Sequence, residues 1–146
     1  MEHIEQLIEI VTAEADSVDA LANAVAEKQR ALMELNAEDL QTALSAEEEC
    51  TRHVEQLERK RIALLSQIYK SMASDTVRLS KVIADADTAD AEKLSALQHR
   101  LLTSFEAIKK NNDINRVLIQ NFRYLVKENL KILTESRGRT FIDKKV

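Results

Sequence analysis

Glycine occurs once in this 146-residue sequence and proline not at all. Those two residues punctuate turns and sheets, so their scarcity excludes a loop-rich or sheet-rich fold and predicts a few long helices joined by minimal turns. Tryptophan is absent and aromatics make up 3% of the chain. β-Branched residues do not cluster in alternating runs, which removes the usual signature of strands. A lone cysteine, Cys50, rules out an internal disulfide framework and fits a reducing compartment. No run approaches the roughly 18 apolar residues that a membrane span requires, and the start, MEHIEQL, is acidic rather than signal-like. The expectation is a cytoplasmic protein with no membrane insertion.

Charge is present but unevenly placed. Residues 1–100 hold 11 Lys/Arg against 20 Asp/Glu, whereas residues 101–146 hold 10 against 5. An acidic body thus carries a basic C-terminal segment, which biases where a partner docks. No aromatic stacking platform or base-reading motif accompanies the basic residues, so nucleic acid is not an expected partner. One glycine cannot build a phosphate-cradling loop. Glu47, Cys50 and His53 recur every third residue and share a helical face, yet no second Glu-x-x-His exists to complete a carboxylate-bridged metal site. Cys50 and His53 lack an orienting third group and an oxyanion hole. Cys50 is read as a small core residue. No enzyme, cofactor or metal is expected.

The apolar pattern has helical period throughout. Ile4, Val11, Val18, Val25 and Leu32 form an unbroken a series, while Glu14 and Lys28 interrupt d. Such a helix packs against neighbours but makes a poor self-associating zipper. Asn36 reads as an N-cap with Asp39 at N3, and Leu35 and Leu40 as a hydrophobic staple across the turn. A second helix follows over about 37–72, with Glu47 and Arg61 falling on its apolar face; Arg61 could pair with an acidic group across the bundle. A short helix is expected at about 75–85, and a third long helix over about 89–135. At 1.5 Å per residue that last helix spans about 70 Å against about 50 Å for the first (residues 2–35), so part of it overhangs. Gly138 stands where a left-handed C-cap belongs, leaving 139–146 as a basic tail after a single helical domain, 1–138. The fold class is all-α: an elongated antiparallel bundle of three long helices with a short extra helix between the second and third.

The last long helix carries the functional signal. Its stripe mixes large aliphatics with amides: Asn112, Asn115, Leu118, Ile119, Phe122, Leu125, Val126 and Asn129. Leu94, Leu97, Leu101, Phe105 and Ile108, nearer its start, read as core. From Leu118 onward core and partner surface are equally open, and an amide at position a can equally pin register inside a bundle.

Several stretches resemble the FlgN family of flagellar export chaperones. They are Val25-Ala26-Glu27-Lys28, the reversal from Leu35 to Leu40, the run from Leu57 to Leu65, and above all Asn112-Asp113-Ile114-Asn115-Arg116-Val117-Leu118-Ile119. This last is similar to the family's N-x-x-N-x-x-L-[LI] signature. The resemblance implies a chaperone that binds the C-terminal helical segments of the hook-associated proteins FlgK and FlgL and delivers them to the type III export apparatus. It implies no catalysis. Where the family often has a tyrosine–glycine tail, this chain has Gly138 followed by Thr140-Phe141-Ile142-Asp143. Phe141 and Ile142 are the residues expected to dock at the export gate. The alternatives are a self-associating helical scaffold, or a FliT-like chaperone with another flagellar client; the scaffold predicts tight homo-oligomers, a chaperone a monomer or weak homo-oligomer.

Overall fold

The structure is a computed structural model in which the backbone is described for residues 2–70 and 77–145, and side chains for 3–70 and 77–135. It is all-helical: α1 (Glu2–Glu34), α2 (Ala37–Ile68), α3 (Leu79–Asp85) and α4 (Thr88–Lys145). Among the described residues there is no strand.

Helix α1 is the spine. α2 lies antiparallel along one side of it and α4 runs parallel along another, while no Cα of α2 comes within 8 Å of one in α4 among the described residues. The three long helices therefore form an open angle over α1 rather than a closed triangle. The main apolar cluster sits at one end, where Leu7 and Val11 of α1 meet Leu64 and Leu65 of α2, Val82 of α3 and Leu94 of α4. The unbroken a series of α1 accounts for this: Val11, Val18, Val25 and Leu32 are all buried. Phe105, expected in the core, is instead half exposed beside the α2–α4 cleft, because α2 does not close over it.

The two charged residues that interrupt the α1 stripe are buried and matched from α2. Arg61 Nε donates to Glu14 Oε1 at 2.8 Å, and Lys28 Nζ lies 2.8 Å from Glu47 Oε2. The α2 residues that thin its apolar face are thus the partners of the α1 residues that thin its own.

The α1–α2 reversal is made without glycine. Leu35 adopts φ 54°, in the left-handed region. The amides of Leu35 and Asn36 donate back to the carbonyls of Leu32 and Ala31, at 3.3 and 3.0 Å. This is a Schellman-type close with leucine at the glycine position. Asn36 then caps α2, its Oδ1 accepting from the Asp39 amide at 3.0 Å, as its spacing predicts.

Other boundaries differ from expectation. α2 ends at Ile68, with the Tyr69 amide donating to the Leu65 carbonyl at 2.8 Å. The Tyr69 hydroxyl donates to Asp85 at 2.8 Å, tying the end of α2 to α3. Burial and that carboxylate push the Tyr69 hydroxyl up to about 12. Residues 71–76, where the second helix was expected to end and the short one to begin, lie outside the described residues. Asp87 caps α4 by accepting from the Asp90 amide at 2.9 Å. α4 also runs on through Gly138 to Lys145, where a cap and tail were expected. Glycine inside a helix costs only about 1 kcal/mol, and no proline follows to force a stop.

Candidate functional site

The family-like asparagines face inward. Asn115 is 1% exposed, and its Nδ2 donates to the Val25 carbonyl of α1 at 3.1 Å. Asn112 Oδ1 accepts from Lys28 Nζ at 3.5 Å, and Asn111 Oδ1 from Gln29 Nε2 at the same distance. Lys28 therefore gathers three helices, through Glu47 of α2 and Asn112 of α4. Lower down, Arg100 spans Asp16 and Asp19 of α1, both at 2.6 Å, and Ser104 donates to Asp19. The Ser104 hydroxyl and the Arg100 guanidinium hold the Asp19 carboxyl below its ordinary value. These polar contacts fix α4 along α1 in one register. Asn112 and Asn115, read from sequence as partner-binding, thus make contacts to α1, the first half-buried and the second buried.

Beyond that point α4 leaves the body. Leu118 and Ile119 are half-buried, and every residue from Asn121 to Glu135 is exposed except the half-buried Glu128. At 1.5 Å per residue, α4's 58 residues span about 87 Å, against about 50 Å for the 33 residues of α1. The overhanging arm carries Phe122, Tyr124, Leu125, Val126, Leu130, Ile132 and Leu133, each between 38% and 64% exposed. Isolated exposed leucines are ordinary, but a contiguous apolar surface along one helix marks an interaction site. Asn129 is exposed within that stripe.

Two depressions meet at Phe122. One, of about 280 Å³, lies on the arm itself, with Phe122, Val126 and Leu130 as floor and Arg123 and Lys127 as rim. The other, of about 250 Å³, lies where the α1–α2 turn faces α4, lined by Leu32, Leu35, Leu40, Leu44 and Phe122 among others. The spacing of Leu35 and Leu40 predicts a staple across the turn but not a share in a surface. Their line-up with Phe122, some eighty residues on, depends on the register that Asn112 and Asn115 set. A third depression, of about 360 Å³, lies between α2 and α4 over Val11 and Glu14, beside Leu101 and Phe105.

The residues considered for chemistry are otherwise engaged or separate. Glu47 pairs with Lys28, Ser17 Oγ and His53 Nδ1 share a hydrogen bond at 2.9 Å, and Cys50 is half-buried. The side chains of Phe141 and Ile142 lie outside the described residues. No helix among the described residues is long and apolar enough to cross a membrane.

A body held in one register thus carries an apolar arm that projects from it. The family model described as FlgN protein matches residues 1–142. The chain belongs to the FlgN family. Its members are flagellar export chaperones, a non-enzymatic class. No curated protein and no solved structure matches the chain. The FlgN match spans both the body and most of α4, so the arm belongs to the family's extent and is not an appendage to it.

Proposed function

We propose that this protein is the cytoplasmic chaperone of the hook-associated proteins FlgK and FlgL. It covers their C-terminal helical segments, prevents their premature assembly and delivers them to the export gate. One observation carries this reading: the arm of α4 presents a continuous apolar stripe to solvent at the end of a body whose own core is complete without it. A segment that stays disordered until assembly can fold as a helix on such a stripe. Leu118, Ile119, Phe122, Leu125 and Val126 are the proposed anchors, with Asn129 giving register to the bound helix through its amide. Burying these five side chains contributes about 8–15 kcal/mol gross, which must offset lost translational freedom and the ordering of the client. The balance is a complex tight enough to protect and weak enough to release. Phe141 and Ile142 remain the proposed contact with the export gate.

The test is titration calorimetry against C-terminal peptides of FlgK-like and FlgL-like proteins, with a scrambled peptide as control. A one-to-one complex with a negative heat-capacity change is expected. Val126→Asp/Leu130→Asp should abolish it while leaving thermal unfolding unchanged, since both side chains lie on the exposed arm away from the α1–α2 corner. A folded protein that binds neither peptide overturns the proposal.

A further inference from the structure

The arm carries a charge pattern as well as an apolar one. Arg123, Lys127 and Lys131 follow one another at four-residue spacing, so they form a row along one edge of the stripe made by Phe122, Val126 and Leu130. All three are exposed, and no ion pair among the described residues engages them. Glu135 closes the row one turn further on. The row is not needed to hold the bundle together, because α4 is fixed to α1 by Arg100, Ser104, Asn112 and Asn115, all before the arm begins.

A second copy of the arm is a poor occupant of this surface. In a two-fold antiparallel pairing centred on the row, Lys127 faces its own symmetry mate and Arg123 faces Lys131, so every facing pair is of like charge. A helix bearing carboxylates along the edge of its own stripe meets the row with opposite charge at each turn.

We infer, on the basis of the chaperone reading above, that the arm is specific for an amphipathic helix whose apolar stripe is edged by Asp or Glu at four-residue spacing. The apolar floor supplies most of the affinity, and the row selects the partner and its direction. Near Phe122 the bound helix reaches the corner formed by Leu35, Leu40 and Leu44, which takes an apolar residue at that end.

Three synthetic helices sharing one leucine stripe but edged with Glu, Gln or Lys test this by fluorescence titration. Exposed pairs are individually weak, so the three together should favour the Glu-edged helix over the Gln-edged one by roughly tenfold at about 0.05 M salt. The preference should shrink toward unity at about 0.5 M salt, where screening is short-ranged. In Arg123→Glu/Lys127→Glu/Lys131→Glu the Lys-edged helix should bind best, with circular dichroism and melting unchanged. Equal binding of the Glu- and Gln-edged helices to the natural protein overturns the inference, as does a triple variant that keeps the acidic preference. The two readings fail separately. Client peptides that bind without dependence on salt or on the row sink the charge inference and leave the chaperone standing. Clients that do not bind, beside a Glu-edged helix that does, sink the chaperone reading and leave the surface specificity in place.

Discussion

Glu14 and Arg61 form an ion pair at 2.8 Å across the α1–α2 interface, two heptads from the equivalent pair of Lys28 and Glu47. The spacing is the same on both helices, so one antiparallel register satisfies both pairs together. A parallel arrangement would set Glu14 against Glu47 and Lys28 against Arg61, like against like. Buried pairs contribute little net stability compared with apolar residues of similar size, but breaking one is expensive. Their use here is to specify one orientation and one register of α2 on α1.

Lys28→Glu should therefore cost about 3–5 kcal/mol by leaving two acids together in a mostly buried place. Lys28→Glu with Glu47→Lys restores opposite charges in the same register and should recover at least half of that loss. Urea unfolding of the two variants checks it. A swap no more stable than the single change would show that the pair does not set the register.

The pH dependence follows from the burial of Glu14. Burial raises its carboxyl above the ordinary value of 4.5, and Arg61 offsets only part of the effect. The native state thus holds this proton more tightly than the unfolded chain does. The contribution of Glu14 to stability is largest below the ordinary value and is lost as pH rises through the raised one. Glu14→Gln is permanently neutral. Whatever offset the loss of the Arg61 pair sets, the stability difference should move in the variant's favour as pH rises from about 4 toward neutrality. Paired urea titrations cancel the effect of all other carboxylates. A difference growing in favour of Glu14 would mean that the Arg61 charge outweighs burial.

At the α1–α2 corner, stability and binding should move in opposite directions. Leu35 sits at φ 54°, which a side chain with a Cβ adopts at a cost that glycine avoids. Leu35→Gly should stabilise the protein by about 0.5 kcal/mol, once the extra freedom of glycine in the unfolded chain is set against the relief. It also removes one wall of the depression beside Phe122, so client affinity should fall several-fold. Denaturant unfolding and calorimetry on the same variant check both halves. A less stable protein contradicts the account of the turn.

The sequence made some of this legible and hid the rest for physical reasons. Asn36 and Asp39 announce the corner because a cap is a local hydrogen bond with a fixed spacing. Glu14 and Lys28 interrupt the α1 stripe and Arg61 calls for an acidic partner across the bundle, but the match of Arg61 with Glu14 and of Lys28 with Glu47 depends on how two helices are aligned. Asn115 reads equally as a partner contact or a pin, and its bond to the Val25 carbonyl depends on an alignment of α4 on α1 that no local pattern encodes. Gly138 looked like a stop because glycine ends helices more often than it crosses them, yet one glycine without proline does not overcome propagation from both sides. The open α2–α4 cleft, and with it the exposure of Phe105, has no sequence signature, since an apolar stripe does not say whether its neighbour closes over it.

Hydrogen exchange with and without a hook-associated client peptide tests the central claim most directly. The account expects new protection in residues 118–135 and at the corner from Leu35 to Leu44, with exchange around Leu7, Leu65 and Leu94 unchanged. Protection confined to the α2–α4 cleft around Val54 and Leu101, with the arm exchanging as it does in the free protein, would contradict it.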